Sequence, residues 1–309
     1  MVARTDGLAP DAAEVPGAAN ATDAADNPGA ADAASRAGAL AASPIADHTA
    51  SRAGALAARI GTAIRVSLTS SITFATVGTA ATSLLLIPLL SVLFDVLLGS
   101  DLASPDLVRI GYAAALVSLM VSVCSGVVAA VARDRMLGVF QEVQLRRRFD
   151  AAYWVSVAAV PVVLALASAV IVFGSVFAFS GGDGAMLGRA ARLVLPALAV
   201  GLCLGIFAAG SGVGLPDPYL GATLVGALLP LTAGVIVPVS QYPAWFAGLV
   251  RFIPGTNTVR ALSEATGAPG QLAFVGIDAA LSLVWAGIGL ALTRVAVAHL
   301  RNGVRLESI

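Results

Sequence analysis

Between Ala151 and Gly182 the chain carries no charged side chain, and the same holds for Ile110 to Ala132 just before it. Each run is longer than the roughly 20 residues a helix needs to cross ~30 Å of hydrocarbon. Further uncharged runs occupy Val66 to Phe94, Leu193 to Pro216 and Pro218 to Val250, and a sixth, Ala265 to Thr293, is interrupted only by Asp278. A hydrocarbon interior offers the backbone no hydrogen-bond partner, so such runs close their bonds internally as helices, and the alternating pattern of barrel strands is missing. With 58% hydrophobic and 12% charged residues the composition lies far from that of an ordinary soluble domain. The expected fold is an all-α membrane protein with six transmembrane helices.

Two apolar runs flank a charged island, Arg133 to Asp150, reading RDRMLGVFQEVQLRRRFD. The island must lie on one side of the bilayer, and arginine counting says which. With the amino terminus inside, ten arginines (52, 59, 65, 133, 135, 146, 147, 148, 301 and 305) face the cytoplasm, against five outside (109, 189, 192, 251 and 260). A multi-pass protein of the cell membrane with both termini cytoplasmic is expected. Tyr153, Trp154, Tyr219, Tyr242 and Trp245 fall at span ends, where aromatic rings favour the interface.

The residues before the first span differ in kind. Residues 1–49 form an Ala/Asp-rich tail with almost no large apolar side chain to bury, so disorder is expected there. From about Thr49, Leu56, Ile60 and Ile64 recur every four residues beside Arg52 and Arg59, the pattern of a helix lying in the interface; a solvated extension of the first span fits the same spacing. Residues 50–305 are read as the transmembrane domain and 306–309 as a short cytoplasmic carboxyl terminus.

All eighteen basic residues are arginine. A phosphate-cradling Walker loop needs its lysine, so this chain carries no ordinary P-loop ATPase site, and lysine Schiff-base chemistry is excluded with it. The two histidines, His48 and His299, lie outside the span cores, and there is no HExxH, no GxSxG and no cysteine cluster. The chain is therefore not read as an enzyme, and no cofactor or metal is assigned to it. Cys124 and Cys203 are expected to be small buried hydrophobes, and Gly201 with Gly205 a close helix contact.

Between Pro238 and Pro269 the regularity fails. Ala244 to Ile253 is apolar but too short to cross, and Pro238, Pro243 and Pro254 punctuate it. A re-entrant or interfacial helical hairpin on the outer side, before the last span, accounts for both facts.

Three segments resemble the permease subunit of ABC-2 type exporters. Asp134, Arg135 and Gly138 match an acidic-Arg-Glu-x-Gly pattern that opens a cytoplasmic helix, with Met136 in place of the usual Glu. Leu231 to Trp245, LTAGVIVPVSQYPAW, resembles the end of the family's fifth span, and Ile253 to Leu262, IPGTNTVRAL, the segment before its last, with Ile253 where Asn is usual. The resemblance covers about Ile60 to Arg305. It implies two permease copies, as a homodimer, forming a pathway above two separate ATPase subunits that hold the ATP and Mg. Arg133, Asp134, Arg135, Met136, Leu137, Gly138, Phe140 and Glu142 would then form the ATPase-coupling surface, with Met136, Leu137 and Phe140 as its apolar anchor and Arg146 to Arg148 holding lipid headgroups.

Asp95, Asp278, Pro254 and Arg260 are candidate gating or substrate residues, since ionisable groups near the bilayer interior commonly serve function. Both carboxylates are expected to reach water at the interface. Few charges and few aromatics suit a hydrophobic or amphipathic cargo such as a drug or lipid-like metabolite. A polysaccharide cargo, a secondary transporter and an intramembrane enzyme are the alternatives.

Overall fold

The computed structural model describes residues 54, 58, 61–62, 77–146, 151–264 and 268–301. The expected amino-terminal tail, the apolar stripe and arginines of the interfacial helix, the arginine triplet side chains and the carboxyl terminus fall outside these residues. The chain divides into two units, Met1–Ala55 and Leu56–Ile309, and the helices below belong to the second.

Among the described residues all regular structure is helical. α1 (Val77–Ala81) passes through a π turn (Thr82–Leu86) into α2 (Ile87–Asp101). α3 (Leu107–Met136), α4 (Val139–Arg146), α5 (Ala151–Phe179) and α6 (Gly184–Gly212) follow. After α7 (Leu220–Thr232) come α8 (Ala244–Val250), α9 (Thr256–Ala261) and the long α10 (Pro269–Arg301).

Among the described residues five helices are long and apolar enough to cross a membrane: Thr82–Asp101, Leu107–Met136, Tyr153–Phe179, Gly184–Gly212 and Pro269–His299. The protein is a multi-pass membrane protein on that ground. The run from Pro218 to Val250, expected as a single span, is divided. α7 has 13 residues, about 20 Å at 1.5 Å per residue, short of ~30 Å of hydrocarbon. Gly234, at φ +73°, and Pro238 stop the helix from continuing, and a 3₁₀ turn at Val239–Gln241 leads into α8. The Tyr242 hydroxyl donates to Leu231 O at 2.7 Å and folds this irregular stretch back on α7.

α3 is the centre of the bundle. It packs against α2, α5, α6 and α7, and from Ile110 to Ala132 most of its side chains are buried. Its closest neighbour is α6, where Gly201 and Gly205 bring the backbones together. A Cβ on Gly201 would stand 2.7 Å from Met120 O, and one on Gly205 would stand 2.9 Å from Val127 Cβ. This is the small-residue packing expected where lipid, unlike water, supplies little drive for helix association. α6 meets α10 in the same way at Gly210 and Gly289, each of which faces backbone of the other helix. Cys124 is buried in α3 and Cys203 partly so in α6, both unpaired.

Candidate functional site

Two places concentrate polar groups, one at the carboxyl end of α3 and one beside the middle of the bundle. The first is the charged island. Asp134 to Gly138 were expected to open a cytoplasmic helix, but the chain breaks at Gly138, whose φ of +75° belongs to the left-handed region that favours glycine. The Gly138 N–H donates to Arg135 O and the Leu137 N–H to Arg133 O, closing α3, and α4 starts one residue later.

That break decides which side chains face outward. Met136 and Leu137 are each 68% exposed, and Val139 and Glu142 are exposed beside them. Phe140, expected in the same apolar anchor, turns inward instead: it is 1% exposed and meets the Tyr153 ring edge-on at 6.0 Å. Its place is in the core, because the break rotates α4 relative to α3. Arg133 and Asp134 form an ion pair at 3.8 Å. Arg135 is engaged within the bundle, its Nη1 donating to Gly212 O at 2.9 Å and Leu215 O at 2.8 Å. It bonds the last carbonyl of α6, which also accepts from Leu215 N, and one carbonyl of the turn that follows, where a cation is also favoured by the helix dipole.

The second place is a buried knot between α9 and α10. Asp278, expected to reach water, is 1% exposed. Its Oδ2 accepts from Gly255 N at 3.1 Å, from Thr258 N at 2.6 Å and from Thr258 Oγ1 at 2.7 Å. Its Oδ1 accepts from Asn257 Nδ2 at 3.1 Å and from Asn257 N at 3.4 Å. The carboxylate thus supplies, from a helix 20 residues away, the acceptors that the first turn of α9 lacks. Burying a carboxylate is costly unless its lone pairs are met, and here neutral donors meet them.

Thr256 extends the knot, its Oγ1 lying 3.3 Å from Thr232 O and 3.4 Å from Val250 O, so that the ends of α7 and α8 share one hydroxyl. Trp285 Nε1 donates to Phe252 O at 3.0 Å and fixes the α8–α9 turn to α10 a second time. Pro254 is buried in that turn. Gly255, at φ +100°, lies against Met120, Leu229 and Val200. Met120 and Val200 fall near the middle of α3 and α6, so the turn reaches the mid-length of the bundle.

The remaining candidates lie apart. Arg260 stacks over the Phe274 ring with Cζ 4.6 Å from its centroid, and Asp95 is half-buried in α2. Sequence reasoning missed Asn257, Thr258 and Thr256, which carry the knot; they were legible only as part of a familiar-looking segment.

A cavity of about 450 Å³ runs beside α3, between the π turn and α5. Ser122, Ser125, Ala129 and Ala165 line it, and Arg133 and Met136 stand at one end. Ser168 of α5 donates to Leu84 O in the π turn at 2.6 Å. Comparison with family models, curated proteins and solved structures gives no match.

Proposed function

We propose that this chain is the membrane subunit of an ATP-driven exporter of the ABC-2 type, acting as a homodimer with a separate ATPase. On this reading six segments cross or enter the bilayer: the five long helices, and α7 with the re-entrant pair α8–α9 as the sixth. Both termini and the island lie in the cytoplasm. The observation that carries the reading is the exposed patch Met136, Leu137, Val139 and Glu142, an apolar cluster with a carboxylate at the end of the central helix. Small apolar clusters with charged surrounds suit a protein partner better than water.

The cargo reading rests on the cavity beside α3. At about 450 Å³ it falls in the range of roughly 300–1,000 Å³ that suits small molecules. Its mixture of methyl, hydroxyl and one guanidinium fits an amphipathic molecule. Binding of ATP would draw two ATPases together, and unequal contacts with the island in the two states would shift the bundle.

The test is co-expression with candidate P-loop ATPases from the same genome, followed by reconstitution and measurement of ATP hydrolysis and export together. Replacing Met136, Leu137 and Glu142 with alanine should leave the bundle folded and uncouple hydrolysis from export. Normal coupling in that variant, or no ATPase whose activity depends on the chain, would remove the proposal.

A further inference from the structure

A separate cavity of about 190 Å³ opens between the start of α3, the irregular stretch after α7, α9 and α10. Two guanidiniums line it, Arg109 and Arg260, with the carboxylate of Glu264, the hydroxyls of Ser240 and Ser263, and the Phe274 ring. Arg109 Nη2 donates to Val235 O at 3.0 Å, a neutral acceptor, and Arg260 rests on the Phe274 face. Neither contact neutralises a guanidinium, although the Asp106 carboxylate, which accepts from Arg109 N at 2.8 Å, stands close enough to act on Arg109. Among the described residues neither arginine forms an ion pair with a carboxylate.

The volume is below the roughly 300–1,000 Å³ of drug-sized sites, which restricts the occupant to a small group. Arg109 is the third residue of its helix, within about 5 Å of the helix start, and at the end of a spanning helix an arginine side chain can reach lipid phosphates. Planar guanidiniums bind phosphate with paired N–H donors, and a carboxylate in the same cavity supplies the acceptor for an ammonium. Within the lining itself, two guanidiniums and one carboxylate are complementary to a phosphate that carries an amine, with Asp106 beside Arg109 but outside the lining.

We propose that this cavity binds a phosphoethanolamine group, its phosphate held between Arg109 and Arg260 and its ammonium directed to Glu264. The group can arrive as the headgroup of a membrane lipid or as a soluble phosphate ester. The site needs no ATPase, so its test is independent of the exporter reading.

Native mass spectrometry of the full chain in detergent, with phosphatidylethanolamine or phosphatidylglycerol added after delipidation, decides the matter. The wild type should retain one phosphatidylethanolamine per chain. Arg260→Gln, whose lost contact is only the ring stack, should reduce retention about tenfold or more, and Arg260→Lys less. Glu264→Gln should weaken phosphatidylethanolamine and spare phosphatidylglycerol. Displacement of the lipid by millimolar phosphoethanolamine would support the same chemistry with a soluble source. Equal retention by the wild type and an Arg260→Gln variant of unchanged melting temperature would overturn the site. Equal retention of the two lipids, unaffected by Glu264→Gln, would overturn the role given to the ammonium.

Discussion

Asp278 and Thr258 meet twice: one carboxylate oxygen accepts both the backbone N–H and the hydroxyl of Thr258, at 2.6 and 2.7 Å. The pair joins the last long helix to a helix of six residues that could not stand alone. Asp278→Ala should therefore lower stability by about 3 kcal/mol or more, because Gly255, Asn257 and Thr258 would all keep buried donors without an acceptor. Asp278→Asn, which retains one carbonyl oxygen, should cost less. Thermal unfolding in detergent distinguishes the two, and an unchanged melting temperature in Asp278→Ala would remove the knot as a structural element.

Thr258→Val tests the same knot from the other side. It keeps shape, deletes the hydroxyl donor and leaves the backbone bond, so a loss of about 1 kcal/mol is expected. In combination with Asp278→Ala the two losses should be less than additive, which a double-mutant cycle measures.

Gly255→Ala should destabilise through its backbone. An alanine at φ +100° is strained by roughly 1–2 kcal/mol, and its Cβ would lie 3.0 Å from Met120 Sδ. Gly248→Ala, within α8 and with open space at its Cβ, is the control and should be neutral or slightly stabilising.

Gly201→Leu should separate α3 from α6, since even a Cβ there comes within 3 Å of Met120 backbone atoms. Overpacking of this kind costs about 1–3 kcal/mol or more, and the readout is loss of monodisperse protein after extraction.

Arg135→Ala should destabilise the isolated chain with no partner present, because the last carbonyl of α6 and one in the turn after it lose a charged donor. Glu142→Ala, on the exposed face of α4, should leave its melting temperature within about 0.5 kcal/mol equivalent. A stability loss confined to Arg135 would separate bundle integrity from any docking role of the island.

The long helices could be read directly, because an uncharged run of that length has few other solutions in water or lipid. The Gly201 and Gly205 pair was legible for the same kind of reason: spacing alone puts both on one helix face. Pro238, Pro243 and Pro254 announced an irregular segment, and the chain is irregular there. What they did not announce was that the run from Pro218 to Val250 is not one continuous helix, which depends on where α7 stops.

The candidate site was legible only in pieces. Asp278 looked like an interfacial charge because its donors stand 20 and more residues away and are common polar types. Phe140 looked outward because one glycine, by breaking the helix, changed the face of every residue after it. Arg135 has backbone carbonyls as partners, and a carbonyl leaves no trace in sequence.

Two arginines of α3 lie near its opposite ends, about 39 Å apart along the helix at 1.5 Å per residue. Arg135 bonds carbonyls just before α7 and Arg109 a carbonyl just after it. The short helix is therefore strung like a cord between two pegs on one post. It can twist about its own axis or bow sideways, but it cannot slide along α3 without releasing a peg, so any stroke of this bundle that runs parallel to α3 must carry α7 as a passenger.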